Sequence, residues 1–397
     1  MNRICEGIKC SRQTIPRPTK SKYYLISHLC ITNNRMADGG VDGHRNEPGT
    51  SRIEQSPIKT TVHMSKEECA ALATNLFLPI GDHQVPVIFH SEYDVKFFGI
   101  EKYHVFDASK WGKVFQRLKE IQLLSDHSVV EPREAKKRDL RIVHTAAYLN
   151  SLQCSCEVAK IVEMPIVAMI PCCLLDRYLL KRMRFHVGGT VAACRLALIK
   201  NWAINIGGGF HHASSSRGGG FCIYADISLA VKMLFLLNLV NKVIILDVDA
   251  HQGNGHERDF LDDPRVFIVD VYNPDIYPHD VEAKNAISRG VEMRSRTGDI
   301  AYLSMLETSM DTVFGEFSAD LIVYNAGTDS LMGDPLGRLD LTPHGIVARD
   351  ELVFRLAQEH SIPIAMVTSG GYQQDNWKVI ADSIKNLHEK KLIYLHP

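Results

Sequence analysis

The chain has no apolar run near the roughly 18 residues that a membrane-spanning helix needs. Its most apolar helix-like stretch, 227–240, is shorter and carries Lys232. It also lacks an excess of charge of either sign: 45 Lys and Arg stand against 46 Asp and Glu, a net charge of -1. That balance gives no electrostatic reason to expect direct binding of nucleic acid or of a membrane. A disulfide framework is missing too. The 10 cysteines are scattered along the chain, a usage that suits a reducing compartment. Cys154 and Cys156 form a C-x-C with no matching second pair, and Cys172 and Cys173 are adjacent, so no cysteine zinc site is legible. No repeat at solenoid spacing occurs. What remains is an ordinary globular composition, 45% hydrophobic and 23% charged, over 397 residues, enough for one large domain or two ordinary ones.

The first 80 residues read differently from the rest. Residues 1–35 are rich in basic side chains with one acid, Glu6, and resemble an organelle transit peptide without an obvious amphipathic helix. Residues 36–60 read as flexible linker. Residues 1–80 are therefore expected to be a disordered or targeting extension, and 81–397 a single packed catalytic domain.

Within that domain, short apolar runs alternate with helical segments. Strands are expected at 85–90, 202–206, 242–249, 265–271, 321–325 and 363–368. Helices are expected at 111–124, 133–152, 227–239, 299–314, 342–357 and 376–389. Continuous apolar strands alternating with helices imply an α/β fold, a mostly parallel sheet covered on both faces. In such folds the ligand crevice lies beyond the carboxyl ends of the strands. The unusual polar clusters fall just there: Gly-Gly-Gly-Phe-His-His after Ile206, Asp-Val-Asp-Ala-His after Leu246, Asn-Ala-Gly-Thr-Asp after Tyr324, and Thr-Ser-Gly-Gly-Tyr after Val367.

Each cluster has its own chemistry. Asp249 and His251 are two residues apart, so at an extended strand end both project to one side and make a partial divalent-metal site. A third ligand must come from elsewhere; Asp334, in Gly333-Asp334-Pro335, is the best candidate. Three protein ligands leave an open, catalytic coordination position. Taken alone, Asp-x-Asp-x-His fits acids that cap helices or bind loops equally well. His211 and His212 are able to divide labour beside a metal as general base and electrostatic partner, and the three glycines before them let backbone approach a ligand closely. Tyr372, after a Ser-Gly-Gly turn, is either a donor to a developing oxyanion or an ordinary packed aromatic.

The joint order of these strings resembles the zinc-dependent histone deacetylase family. It is carried by Gly207-Gly-Gly-Phe-His-His-Ala213, Gly220-Phe-Cys222, Asp247-Val-Asp-Ala-His-Gln-Gly-Asn-Gly255, Asn325-Ala-Gly-Thr-Asp329 with Gly333-Asp-Pro335, and Ser369-Gly-Gly-Tyr372. The resemblance spans about 85–392, and His-Gln-Gly-Asn-Gly, Tyr-Asn-Ala-Gly-Thr-Asp and Ser-Gly-Gly-Tyr-Gln look most like the class IV branch.

The resemblance implies hydrolysis of N6-acyl-lysine amides in proteins such as histone tails, with acetyl or longer acyl groups. It implies one zinc ion on Asp249, His251 and Asp334, which polarises the carbonyl and lowers the pKa of its water toward about 7. His212 becomes the general base, His211 the electrostatic partner oriented by Asp247, and Tyr372 the oxyanion donor. Asn254 stands opposite His212 where many relatives carry an acid, which should keep His212 neutral to lower pH. Gly220, Phe221 and Tyr277 become the walls of the acyl-lysine slot. A structural potassium ion is implied beside Asp247, Asp249 and His251 through backbone carbonyls. Corepressor complexes, transcriptional repression, and residence in nucleus and cytoplasm also follow from resemblance. Three rivals remain. A binuclear ureohydrolase would need a second-metal ligand where Gln252-Gly253 follow His251. A polyamine deacylase would share the chemistry, but no acidic gate is legible. A catalytically idle acyl-lysine-binding scaffold should have lost a ligand, the base or the tyrosine, and all are present.

Overall fold

A computed structural model describes residues 64–97 and 99–395. A seven-stranded parallel sheet runs through it in the order β1-β2-β7-β6-β3-β4-β5. The strands are β1 (Val87–Ile88), β2 (Trp202–Asn205), β3 (Val243–Asp247), β4 (Val266–Tyr272), β5 (Arg289–Glu292), β6 (Leu321–Asn325) and β7 (Ile364–Val367). The helices that matter here are α1 (Lys66–Leu72), α2 (Lys110–Glu120), α3 (Ser155–Ile161), α4 (Lys181–Lys200), α5 (Asp226–Leu236), α6 (Asn254–Asp259), α7 (Asp299–Glu316), α8 (Pro343–Glu359) and α9 (Asn376–Glu389).

The central strands are buried on both faces, as their unbroken apolar runs require. Alternate residues of β3 enter opposite cores: Val243 and Ile245 join one cluster, Ile244 and Leu246 the other. Each such side chain, fully buried, contributes on the order of 1.5–3 kcal/mol relative to exposure. The register then sets up the site. Asn205 is level with Val367, Val367 with Asn325, and Asn325 with Asp247. Four strands therefore end at one height, and their loops converge on one crevice.

Two expectations are corrected, and two elements were not foreseen. The domain begins well before residue 81: Ser65 caps α1 in a reciprocal box with Glu68, and Ala71, Leu76 and Leu78 are buried in the core. The targeting and linker readings of residues 1–60 lie outside the described residues. The helix expected over 133–152 is two short pieces, Lys137–Leu140 and Ala146–Ser151. A 20-residue helix, α4, was not foreseen. It is buried nearly all round by small and β-branched residues, so it shows no amphipathic stripe. A Cβ on Gly188 would sit 1.8 Å from the Arg133 carbonyl, which explains the glycine at that crossing. The edge strand β5 was also missed, because its half-exposed Arg-Gly-Val-Glu carries no apolar run.

Candidate active site

The loop after β2 carries the two histidines, and its shape is held by a residue that the sequence did not single out. Asp226, the first residue of α5, accepts hydrogen bonds from the backbone N–H groups of Gly209 and Phe210 at 2.8 Å each and from the Thr190 hydroxyl at 2.5 Å. Gly208 and Gly209 are left-handed (φ 73° and 80°), and a Cβ on Gly208 would lie 2.2 Å from Thr190 Oγ1. These glycines are thus required by both conformation and space. An acid at the head of an apolar helix reads in sequence as a dipole or capping residue, so its anchoring of a distant loop was not legible.

His211 and His212 then fall side by side, ring centroids 4.0 Å apart. His211 Nδ1 is 2.9 Å from Asp247 Oδ2, and His212 Nδ1 is 2.9 Å from Asn254 Oδ1. Their protonation is driven apart. Burial opposes charge on His211, but Asp247 and Asp249 outweigh it and lift it to about 9. Burial, then the neighbouring His211 and His251, hold His212 well below its ordinary 6.5, and the neutral Asn254 amide does not reverse this. Behind Asn254, its Nδ2 donates to Asp280 at 3.0 Å, and Arg258 clasps the same carboxylate. Asp247 is a hub: Oδ1 accepts from Asp249 N and Asn325 Nδ2, and Oδ2 meets both His211 and His256. His256 was not foreseen; it follows a strong motif but belongs to no separate one.

Of the three expected metal ligands, Asp249 and His251 are brought together, and a further acid, Asp329, lies with them. Asp249, His251 and Asp329 bring one ligand atom each within 4.8 Å of one another, all buried. His251 Nδ1 lies 3.1 Å from Asp249 Oδ1 and 2.7 Å from Asp329 Oδ2. Asp334 is spent elsewhere. Its Oδ1 accepts from Leu336 N and Gly337 N at 2.9 and 3.1 Å, and its Oδ2 accepts from Tyr372 N at 2.8 Å. It is a turn acid that fastens the tyrosine strap. The donor set suits a divalent ion of the zinc type, with one imidazole, two carboxylates and room for further ligands. Burial and the charge of Asp249 push Asp329 up to about 7, a conflict between two close carboxylates that a bound cation resolves.

Tyr372 and the predicted slot residues are gathered over this group. The Tyr372 ring stands edge-on to His251 at 6.1 Å and to Phe221 at 6.0 Å. Burial, then Asp249 and Asp329, push its phenol well above the ordinary range, so it remains a hydrogen-bond donor. Tyr277 packs perpendicular to His212 at 4.9 Å. Gly220 lies between them: φ is +48°, and a Cβ there would sit 2.3 Å from His212 Cδ2 and 3.0 Å from Tyr277 Cε1. A mouth of about 320 Å³ opens over His212, His251 and Tyr372, edged by Phe221 and Tyr277. Beneath lies a second space of about 130 Å³, reaching from His211, His212 and Tyr372 into Val95, Phe97, Met164, Leu175, Leu179 and Met183.

A neutral imidazole, a second histidine paired to a carboxylate, a phenol donor and a cation-ready ligand set, facing one narrow slot, form the equipment of an amide hydrolase. Comparison with known proteins narrows this. The histone deacetylase domain model matches residues 104–387. The chain is 47% identical to histone deacetylase 2 of Arabidopsis thaliana over 348 residues, 88% of this chain and 90% of that protein. The chain therefore belongs to the histone deacetylase family and is a deacetylase. In fold alone it is similar to the HDA15 HD domain (TM-score 0.62, 19% identity, 78% of this chain and 89% of that one). It is also similar in fold to an acetylpolyamine aminohydrolase from Burkholderia pseudomallei (TM-score 0.59, 16% identity, 76% and 98%).

Proposed function

We propose that the chain is a class IV-type lysine deacylase that hydrolyses the amide of N6-acyl-lysine in proteins, with one zinc ion held by Asp249, His251 and Asp329. The observation that carries this reading is the His212–Asn254 pair facing that ligand group at the foot of the Phe221–Tyr277 slot. When bound, zinc supplies Lewis acidity to the scissile carbonyl and lowers the pKa of water. His212, kept neutral, takes the proton of the attacking water and delivers it to the lysine amine as that group leaves. His211, fixed by Asp247, carries positive charge beside the developing anion. The Tyr372 hydroxyl donates to the oxyanion, an interaction typically worth about 2.7–4 kcal/mol in the transition state. Phe221 and Tyr277 align the lysine methylenes.

The space of about 130 Å³ behind the histidines is close to the roughly 150 Å³ of an apolar cavity that holds benzene. Acyl groups of roughly six carbons therefore belong among the substrates, beyond acetyl. The mouth carries Glu163 and Asp275 but also His279 and Arg338, a balance that gives no acidic gate for a polyamine. Histone tails as substrates, corepressor complexes, transcriptional repression, and residence in nucleus and cytoplasm belong to the same proposal. They rest on the class IV strings and the plant relative. The implied potassium ion is supported by the Asp249 and His251 carbonyls, which accept no hydrogen bond among the described residues. It is also supported by Asp270, level with Asp247 and buried with Oδ1 unpaired.

The test is zinc content measured together with hydrolysis of acyl-lysine peptides from acetyl to myristoyl, beside Tyr372→Phe. One zinc per chain and hydrolysis that falls about 100- to 1,000-fold in the variant is the expected result. A folded, zinc-free protein that cleaves no peptide overturns it.

A further inference from the structure

An amide offers an acceptor on one side and a donor on the other, so the group behind Asn254 decides which of the two meets His212. That group is Asp280. Asn254 Nδ2 donates to Asp280 Oδ2 at 3.0 Å, and Asn254 Oδ1 lies 2.9 Å from His212 Nδ1. An ionised carboxylate only accepts, which fixes Nδ2 on its own side and Oδ1 on the side of the histidine. Burial opposes that charge, but the hydrogen bonds from Arg258 and Asn254 hold the carboxyl down at about 2.

Asp280 is itself clamped. Arg258 donates Nε to its Oδ2 at 2.7 Å and Nη2 to its Oδ1 at 2.5 Å, and Arg217 Nη2 donates to Oδ2 at 2.9 Å. Its backbone is paired with Gln252, whose Nε2 donates to the Asp280 carbonyl at 3.0 Å and whose Oε1 accepts from the Asp280 N–H at 3.2 Å. Gln252 and Asn254, two residues apart, thus take hold of the backbone and the side chain of one residue.

We propose that Asp280 is a positioning residue for the hydrolysis: by orienting the Asn254 amide it keeps the proton of neutral His212 on Nδ1 and leaves the Nε2 lone pair free for the attacking water. The proposal rests on the reading of His212 as the base. Which nitrogen of a neutral imidazole carries the proton is set by the hydrogen bond that the other one makes. With Asn254 Oδ1 in place, Nδ1–H is the donor, and Nε2 makes no hydrogen bond among the described residues. If the amide turned over, Nδ2 would donate to Nδ1 and the proton would move to Nε2. A histidine base held in the wrong tautomer loses roughly 10⁴-fold in kcat. The carboxylate is needed for a second reason. Guanidinium groups are donors only, so Arg258 and Arg217, once released from Asp280, would draw Asn254 Oδ1 toward themselves and away from His212.

The test uses the zinc-loaded full chain. Asp280→Ala is expected to lower kcat on an acyl-lysine peptide about ten- to a hundredfold, the worth of one hydrogen bond to a charged group, with KM and zinc content as in the parent. Asp280→Asn can turn its amide nitrogen to the Oδ1 side, where it displaces two donors, Arg258 Nη2 and Ala283 N, rather than three, and still offer Asn254 an oxygen. It should lose less than about tenfold, as a neutral acceptor is the weaker kind. Asn254→Asp accepts on both sides and has no wrong orientation, so adding Asp280→Ala to it should cost no more than about twofold. The ¹⁵N shifts of labelled His212, identified by their loss in His212→Gln, should show the proton on Nδ1 in the parent and on Nε2 in Asp280→Ala. An equal loss of kcat from Asp280→Ala with Asn254 and with Asp at that position overturns the proposal, because a mere brace for Arg258 and Arg217 would act alike in both. An unmoved tautomer overturns it too, as does an Asp280→Ala protein that no longer unfolds cooperatively. Only the kinetic readouts rest on the deacylase reading; if no peptide is cleaved under any condition, the imidazole shifts still decide the role of Asp280.

Discussion

Asp329 and Asp334 make opposite predictions for the same substitution. Asp329 is fully buried, with one oxygen 2.7 Å from His251 Nδ1 and the other accepting from Ala250 N. Asp329→Asn removes one of two charges offered to the metal. Loss of a mere outer partner of a ligand typically costs 10–100-fold in metal affinity, so loss of a ligand charge is expected to cost more than about 100-fold. Asp334→Asn leaves an oxygen for Leu336 N and Gly337 N, but turns an amide N–H₂ toward Tyr372 N, which it cannot accept from. One charge-assisted bond of about 1.5–3 kcal/mol disappears. If that loss falls wholly on the placement of Tyr372, kcat falls about ten- to a hundredfold. Metal content by elemental analysis and kcat on an acetyl-lysine peptide separate the two. The expected outcome is a metal-depleted, inactive Asp329→Asn beside a fully metallated, slow Asp334→Asn. A metal-free Asp334→Asn with a metallated Asp329→Asn would refute the assignment.

Gly220→Ala is expected to lose activity by at least about 100-fold, because its Cβ would lie 2.3 Å from His212 Cδ2 and a misplacement of that scale at a reacting group carries such a cost; thermal unfolding within a few degrees of the parent should show that the fold survives. Asn254→Asp places a carboxylate beside His212 and 3.0 Å from Asp280. It should raise the His212 pKa, so that the base form is lost at higher pH and the acid limb of kcat/KM moves up; an unmoved limb would count against His212 as the base. His144 offers a stability test remote from the ligands. Burial pushes it down to about 4, against 6.5 in the unfolded chain, so the unfolded state takes up the proton first as pH falls. Its contribution is complete above pH 6.5 and is lost progressively from 6.5 to about 4, by about 3 kcal/mol at about 1.4 kcal/mol per pH unit. Urea unfolding should show that loss, and His144→Gln should flatten it.

Much of the crevice was legible because polar residues after apolar strands have few other reasons to cluster. Strand runs fixed β2, β3, β6 and β7 closely, and their motifs named the two histidines, Asp249, His251 and Tyr372. The helix α9 fell at the expected bounds, since its apolar stripe is clear. What was not legible depended on three-dimensional crossings. The helix α4 hides its period behind burial on every side. Residues 66–78 look like tail in composition, yet Leu76 is 1% exposed.

The carboxylates show how far spacing reaches. Asp226, Asp247, Asp249, Asp329 and Asp334 lie near strand or helix ends, and all are buried. Their work differs because each is met by different partners. Asp226 faces backbone N–H groups and a hydroxyl, and shapes the histidine loop. Asp247 is met by two imidazoles, an amide and a backbone N–H. Asp334 is held beside the tyrosine by three backbone N–H groups. Only Asp249 and Asp329 turn oxygens toward the same imidazole nitrogen. Sequence spacing gives the strand end to which an acid belongs, but the direction of its oxygens is set by the turn that follows. In Asn325-Ala-Gly-Thr-Asp329 the turn folds back on Asp249, with Gly327 so close that a Cβ would lie 2.3 Å from Asp249 Oδ2. That contact brings Asp329 to the metal group and leaves Asp334, five residues on, to close the next turn and hold the tyrosine.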